Sequence, residues 1–267
     1  MATLSAGAAL AQQAQSLPPA KYTPELNQSG KDVVWVPTPD ALAAKMLDLA
    51  RVRAGDTLID LGSGDGRLVI LAAKRGAKAL GIEYDAKLVD YAKRRAQQEG
   101  VAALAAFAKA DLFASDLSGA TVITVFLGPE LNLKLLPKLL ALKPGTRIVS
   151  NTHPIGDWPP DETAASGDDE KSVYYRTARL WIVPANVAGR WQWAGGALTL
   201  TQRYQTVAGT LHVGAVNTPV SHALLRGDRL RFEAAGVQYS ATVAGQTLEG
   251  VMVGTGTKQP WRAQRQQ

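Results

Sequence analysis

The residues best suited to chemistry in this chain are three glycines and two aspartates within one short stretch. The stretch reads Asp60-Leu61-Gly62-Ser63-Gly64-Asp65-Gly66-Arg67. It follows the apolar run Thr57-Leu58-Ile59 and precedes residues 68–73, which have a helical pattern. A strand, a tight glycine turn and a helix bring backbone N–H groups toward a nucleotide-like ligand. A dinucleotide site needs the spacing G-x-G-x-x-G, so the spacing G-x-G-x-G indicates a different ligand.

An acidic residue two places before the first glycine, followed by G-x-G-x-G, resembles motif I of the class I S-adenosylmethionine (SAM)-dependent methyltransferases. The resemblance implies SAM as the cofactor that donates the methyl group. Gly62, Gly64 and Gly66 would then allow the backbone to approach the ligand closely, since a Cβ there would block it or require an unfavourable φ.

Acidic residues near the ends of successive predicted strands fit the other parts of SAM. Asp60 is expected to accept hydrogen bonds from the ammonium group, directly or through water. Glu83 follows it by 23 residues and is expected to accept from both ribose hydroxyls. Asp111 is expected to accept from the adenine amino group, with Leu112 or Phe113 covering the ring. Each acid alone would be an ordinary exposed turn residue, but together and in this order they indicate one site.

The elements that must position these residues alternate as in a parallel α/β sheet. Helices are predicted over residues 41–50, 67–75, 86–98 and 130–141, the first with Thr38 as its N-cap. Strands are predicted over 57–59, 79–83, 103–108, 121–126 and 146–150. A polar connection over 151–171 and a strand over 172–183 complete a Rossmann-like doubly wound methyltransferase sheet. Its ligand is expected at the carboxyl ends of the strands.

The pattern changes after about residue 185. Short alternating runs separated by glycines continue to the C-terminus, which predicts a small antiparallel β-meander or barrel module over 186–267. The methyltransferase domain is therefore predicted over 33–185. Trp191, Trp193 and Trp261 are expected in the core of the module or at an end of the barrel.

Residues 1–32 are expected to form a flexible arm or the remnant of a signal peptide. Ala9-Leu10-Ala11 has the small-x-small form of a cleavage site, but no basic region precedes it. Both alternatives stay open.

Composition excludes several classes of site. The chain has no cysteine, which rules out disulfides, cysteine-ligated metals and a cysteine nucleophile. Its three histidines lie far apart in the sequence, so we predict no metal site and expect surface or packed polar roles for them. The sequence contains no run of 18 apolar residues, so it predicts no membrane-spanning helix. The net charge of +6 is concentrated in the C-terminal part but scattered there, so nucleic-acid binding is not predicted.

Further segments sharpen the resemblance. They are Val36-Pro37-Thr38-Pro39, Phe126-Leu127-Gly128-Pro129, residues 149–154 and Trp158-Pro159-Pro160. With residues 60–67, they are similar to the small lysine methyltransferase group that includes the mitochondrial ATP synthase c-subunit lysine methyltransferase and its prokaryotic relatives. The resemblance covers about residues 33–183. It implies that Trp35, Thr38 and Asp65 also line the SAM pocket, and that the methyl acceptor is a protein lysine.

One departure concerns the acceptor. Residues 126–129 stand where many amine methyltransferases carry an Asn/Asp-Pro-Pro-Tyr element, and they lack its polar side chains, which argues against an adenine, cytosine or glutamine acceptor. A lysine must lose its proton before it can attack, and desolvation favours that loss. The expected walls of the acceptor pocket are Phe126, Pro129, Asn151 and Trp158. No histidine or tyrosine stands out as a general base, so the sequence identifies no catalytic residue.

Two alternatives remain from the sequence. A nicotinamide-dependent oxidoreductase is disfavoured by the glycine spacing. An exported protein that binds through its C-terminal module without catalysis is suggested by the signal-like N-terminus. SAM is a cytoplasmic metabolite, so the methyltransferase interpretation favours a cytoplasmic location.

Overall fold

The computed structural model describes residues 22–165 and 175–266. Within them the chain first forms an α/β domain with four helices and seven strands. The helices are α1 (Asp40–Leu49), α2 (Arg67–Lys74), α3 (Ala86–Gln98) and α4 (Pro129–Leu140). The strands are β1 (Thr57–Leu61), β2 (Lys78–Glu83), β3 (Ala105–Lys109), β4 (Val122–Val125), β5 (Arg147–Asn151), β6 (Glu162–Ala165) and β7 (Thr177–Ile182).

The seven strands form one sheet in the order β3-β2-β1-β4-β5-β7-β6. Strands β1 to β5 are parallel, whereas β7 pairs antiparallel with β5 and β6 pairs antiparallel with β7. The chain reverses direction across the sheet between β1 and β4, which creates a crevice at the carboxyl ends of the central strands. The predicted Rossmann-like fold is confirmed.

Helices cover both faces of the sheet. Residues such as Leu42, Val69 and Val89 bring α1, α2 and α3 into the core on one face, and Leu135 and Leu139 bring α4 onto the other. The central strands β1 and β4 are buried almost throughout, as expected for parallel strands covered on both sides. This packing fixes the strand ends that carry the acidic residues.

Two local predictions are wrong. Thr38 is not the N-cap of α1: Pro39 holds that position, and the Thr38 hydroxyl accepts a hydrogen bond from Asn151 Nδ2 at 3.2 Å. Residues 162–165 lie in the predicted connection but form β6, because pairing with β7 gives their backbone groups partners. The crossover from β3 to β4, residues 110–121, consists of turns and contains no helix. Part of the predicted strand over 172–183 lies outside the described residues.

The C-terminal module, residues 189–265, is a nine-stranded antiparallel sheet. Its strands are β8 (Gly189–Trp193), β9 (Gly196–Arg203), β10 (Thr206–Val213), β11 (Val216–Pro219), β12 (Ser221–Arg226), β13 (Arg229–Ala234), β14 (Val237–Ala244), β15 (Thr247–Gly254) and β16 (Thr257–Arg265). The sheet curls until β10 approaches β12, giving a nearly closed barrel as predicted. Trp191, Phe232, Tyr239 and Trp261 are buried inside it.

The C-terminal module packs against the loop that follows β5. Tyr204, in the turn between β9 and β10, stacks on Trp158 with ring centroids 5.8 Å apart, and Arg203 forms an ion pair with Asp157. At a second contact, Gly227 lies so close to Gly145 that a Cβ on it would be 3.1 Å from the Gly145 Cα. In the described part of the chain, no helix is both long and apolar enough to cross a membrane.

Candidate active site at the carboxyl edge of the sheet

A cleft opens at the carboxyl ends of β1, β2 and β4, and its open space of about 930 Å³ includes solvent at its mouth. Many of the residues that the sequence predicted for the site line it. These are Trp35, Thr38, Asp60, Gly62, Gly64, Asp65, Glu83, Asp111, Leu112 and Phe126. The structure therefore brings the predicted SAM-binding residues to one place, apart from Gly66.

Asp60 is the most deeply buried carboxyl group of the cleft, with 3% of its surface exposed. It lies opposite Thr124 in the pairing of β1 with β4, and the Thr124 hydroxyl donates to its Oδ1 at 2.7 Å. Burial raises the pKa of Asp60 to about 7, and the nearby carboxyls of Asp65 and Glu83 act in the same direction, whereas the Thr124 hydrogen bond opposes them. A cationic ligand group would restore the negative charge of Asp60.

Glu83 is held by the backbone around it. Its Oε2 accepts from the Gly64 N–H at 3.0 Å, and its Oε1 accepts from the N–H groups of Tyr84 and Asp85 at 2.7 and 2.9 Å. The carboxylate thus ties the glycine loop, residues 62–66, to the end of β2. Its remaining lone pairs are suited to accept from a pair of hydroxyls.

Asp65 lines the cleft, but arginines occupy its carboxylate. Arg67 donates to Asp65 Oδ1 from Nε at 3.0 Å and to Oδ2 from Nη2 at 2.7 Å, and Arg95 donates to Oδ2 at 3.0 Å. Arg67 also donates from Nη1 to the carbonyl of Thr38 at 2.5 Å. Asp65 and Arg67 therefore brace the glycine loop against the chain that precedes α1.

The glycine loop works differently from the sequence expectation. The N–H groups of Gly62 and Ser63 donate to the carbonyl of Ile82, and that of Gly64 donates to Glu83, so none of these three N–H groups is reserved for a ligand. Gly66 faces the core, where a Cβ would lie 2.7 Å from the Phe107 ring. Gly66 is thus required for packing, and it does not line the cleft.

The N-terminal strap, residues 22–38, closes one side of the cleft. The Trp35 indole packs on Gly64, where a Cβ would lie 2.4 Å from its Nε1. Lys31 forms an ion pair with Asp111 at 2.8 Å, which holds the pKa of Asp111 below its usual range. Tyr22 meets Tyr91 edge to face at 6.3 Å. Residues 22–32, expected to belong to an arm, thus lie against the domain, and the remainder of that prediction concerns residues outside those described.

The acceptor side of the cleft is apolar. Phe126 and Leu127 line it at the end of β4. The other predicted walls lie elsewhere. Pro129 is the first residue of α4 and does not line the cleft, and Asn151 is buried behind Thr38.

The prediction that Trp158 walls the acceptor pocket is wrong. Its side chain is 1% exposed, its ring lies 6.2 Å from Trp181, and its Nε1 donates to Gln205 at 2.7 Å. Trp158 belongs to the core where the C-terminal module meets the α/β domain. An aromatic residue in a proline-rich loop resembles a pocket wall in sequence, because the sequence does not show what packs on it.

The cleft fits SAM by the chemistry of its donors and acceptors. Asp60 would hold the ammonium, Glu83 the ribose hydroxyls, and Asp111 with Leu112 the adenine. Ser63, which also lines the cleft, has a buried hydroxyl without a partner among the described residues. Among those residues there is no group of three His, Cys, Asp or Glu side chains that could hold a metal ion.

Comparison with known proteins agrees with this site. A family model described as the ANTKMT methyltransferase domain matches residues 60–162. A protein-lysine N-methyltransferase from Saccharolobus islandicus is 40% identical over 147 residues, which cover 53% of this chain and 91% of that protein. The chain belongs to the family of SAM-dependent methyltransferases that this model and this relative represent.

Two further relatives extend the comparison. The human ATP synthase c-subunit lysine N-methyltransferase is 36% identical over 52% of this chain and 60% of its own length. The crystal structure of an RNA methyltransferase from Salinibacter ruber, in complex with S-adenosyl-L-homocysteine, is 45% identical with a TM-score of 0.52. The match covers 57% of this chain and 96% of that one. Together with the family model, these matches support the methyltransferase over the nicotinamide-dependent and non-catalytic alternatives.

Three residues of this methyltransferase site have roles that were not predicted from the sequence. Arg67 could have been recognised, since an arginine directly after the third glycine starts a helix and faces the acidic loop. Thr124 is a hydroxyl residue within the apolar run Val122–Val125, and the strand register places it opposite Asp60. Lys31 carried no signal, because its partner Asp111 is 80 residues away.

Asp60→Asn is expected to stabilise the SAM-free protein at pH 8 while weakening SAM binding. The folded-state pKa of Asp60 is raised, so between about pH 4 and pH 7 the folded protein keeps a proton that the unfolded chain has lost. The contribution of this group to the free energy of unfolding therefore falls as pH rises through that window and stays low above it. The uncharged amide of the variant avoids this loss, so the free energy of unfolding at pH 8 should rise by up to about 4 kcal/mol, at 1.36 kcal/mol per pKa unit.

Thermal unfolding of the SAM-free wild type and Asp60→Asn from pH 4 to pH 8 measures this effect. The variant should have the higher Tm at pH 8, and the difference should disappear near pH 4. A lower Tm of the variant at pH 8 would show that the buried carboxylate of Asp60 does not destabilise the folded protein.

Arg67→Lys is expected to raise the Kd for SAM by about tenfold, or about 1.4 kcal/mol. Lysine cannot bond Asp65 through two nitrogens and reach the Thr38 carbonyl at the same time, so the strap would lose its tie to the glycine loop. Arg75→Lys is the matched control, since Arg75 likewise bonds a backbone carbonyl and a carboxylate but does not line the cleft. Calorimetric titration with SAM tests both, and equal losses of affinity would contradict the role of Arg67.

Proposed function

We propose that this enzyme transfers a methyl group from SAM to the ε-amine of a lysine in a protein substrate. The observation that carries the proposal is the apolar acceptor side of the cleft, formed by Phe126 and Leu127, beside a donor side lined with carboxylates. Relatives named as lysine methyltransferases support it, one of them matched over 91% of its length.

An amine acceptor suits an apolar wall. A lysine side chain has four methylenes that pack on such a wall, and its reacting form is neutral. A nucleobase or amide acceptor presents several polar groups that need partners. Residues 126–129 offer no polar side chain to such an acceptor.

Bound SAM supplies an electrophilic methyl group on a positively charged sulfur. The chain's own residues have two tasks. Asp60, Glu83 and the strap fix the donor in the cleft, and Phe126 with Leu127 excludes water where the nucleophile enters. Holding the reacting atoms about 3 Å apart in line accounts for much of the rate enhancement in reactions of this type.

Labelling of cellular fractions tests the proposal. The purified enzyme is incubated with radiolabelled SAM and either protein extract or total RNA from the same cells. We expect label in the protein fraction, and methylated lysine after acid hydrolysis. Label confined to RNA, or to amino acids other than lysine, would overturn the proposal.

Glu83→Gln serves as the control for this labelling. The amide keeps the shape of the side chain but loses one acceptor oxygen, so SAM binding should weaken by about tenfold, or about 1.4 kcal/mol. Labelling below SAM saturation should fall in proportion and recover when SAM is raised.

A further inference from the structure

The N-terminal strap crosses the cleft as an irregular segment. Nine consecutive residues of it, 30–38, line the cleft, and none of them lies in a helix or strand. One end of this run is held close to the glycine loop, because the Trp35 indole packs on Gly64 and Arg67 donates to the Thr38 carbonyl. The other end lies where the adenine of SAM is expected, and it is held by different contacts.

Lys31 contacts the ends of two strands at that side of the cleft. Its Nζ lies 2.8 Å from Asp111 Oδ2, after β3, and 4.8 Å from the centre of the Tyr84 ring, directly after β2. The hydrogen bond between Lys31 and Asp111 raises the pKa of the lysine and lowers the pKa of the carboxyl, so both are charged at neutral pH. Both side chains are 35% exposed, which leaves the ion pair open to screening by salt.

The segment between the two ends, residues 32–34, has a weak hold on the domain. Within the described ranges, no hydrogen bond joins this segment to the α/β domain. Val33 and Val34 line the cleft and are nevertheless 39% and 52% exposed, so they offer apolar surface to a flat ring that enters it. Lys31 therefore supplies the polar contact that holds this part of the strap against the strand ends.

We propose that Lys31 is a clasp, in which its ion pair with Asp111 holds the strap closed over the adenine end of bound SAM and must open before SAM leaves. Asp111 can hold Lys31 and the adenine amino group together. A carboxylate has about four lone-pair sites, of which Lys31 and the Phe113 N–H take one each. The clasp controls how long the cofactor stays in the cleft. It acts on the cofactor whichever acceptor the enzyme methylates, so it does not depend on the lysine acceptor proposed above.

The rate at which SAM leaves the full-length enzyme tests the clasp. Protein loaded with radiolabelled SAM is mixed with excess unlabelled SAM, and the label that remains bound is followed by rapid filtration. Lys31→Met keeps most of the length of the side chain and removes its charge. SAM should leave this variant about threefold faster than the wild type, which is the scale of exposed ion pairs.

Ionic strength distinguishes loss of the ion pair from other effects of the substitution. Between about 0.05 and 1 M NaCl, SAM release from the wild type should accelerate toward the rate of Lys31→Met, because salt screens an exposed pair. Release from Lys31→Met should depend less on salt over the same range. Lys31→Arg keeps the charge and can still bond Asp111, so it should retain slow release and the salt dependence of the wild type.

Lys74→Met is the matched control. Lys74 forms an ion pair of similar length with Glu99, at 2.7 Å, and neither of these two residues lines the cleft. Release of SAM from this variant should equal that from the wild type at every salt concentration.

Three results would contradict the clasp. They are release from Lys31→Met at the wild-type rate, faster release from it with the same salt dependence as the wild type, and release from Lys31→Arg as fast as from Lys31→Met. Label found in RNA in the experiment on cellular fractions would overturn the lysine acceptor and leave the clasp in place.

Discussion

The burial of the Asp60 carboxyl at the end of β1 is the constraint on which the rest of the site depends. A charge removed from water is costly unless it is paired, and Asp60 has only the Thr124 hydroxyl as a partner among the described residues. The raised pKa of Asp60 is the result. The fold tolerates this cost because the central strands and their helices are tightly packed around it. A site with an uncompensated carboxyl is built to receive a cation.

Two carboxyl groups that lie near Asp60 in the cleft are stabilised in different ways. Asp65 is neutralised by Arg67 and Arg95, and Glu83 is held by three backbone N–H groups. Three acids close together would repel one another if all were free. Because their environments differ, Asp65 can brace the glycine loop, Glu83 can hold the ribose hydroxyls and Asp60 can meet the ammonium. The N-terminal strap covers these carboxyl groups, and Arg67 links the strap to the glycine loop.

Much of the α/β domain could be predicted from the sequence, because strand and helix periodicities alternate and acids follow strand ends. Contacts between distant segments could not. Trp158 was expected at the acceptor pocket, but Tyr204 of the C-terminal module packs on it. Gly66 was expected to face the ligand, but it makes room for Phe107. Residues 22–32 contact distant segments through the Lys31–Asp111 pair and the Tyr22–Tyr91 rings, and no local pattern encodes partners so far along the chain.

The measurement that tests the account most directly is calorimetric titration with SAM at pH 6, in two buffers with different heats of protonation. At this pH a carboxyl with a pKa of about 7 is mostly protonated in the free protein, and the bound ammonium would favour its charged form. SAM binding should therefore release most of one proton, and Asp60→Asn should abolish that release. SAM binding by the wild type without proton release would contradict the account, because Asp60 would then already be charged before the ligand arrives.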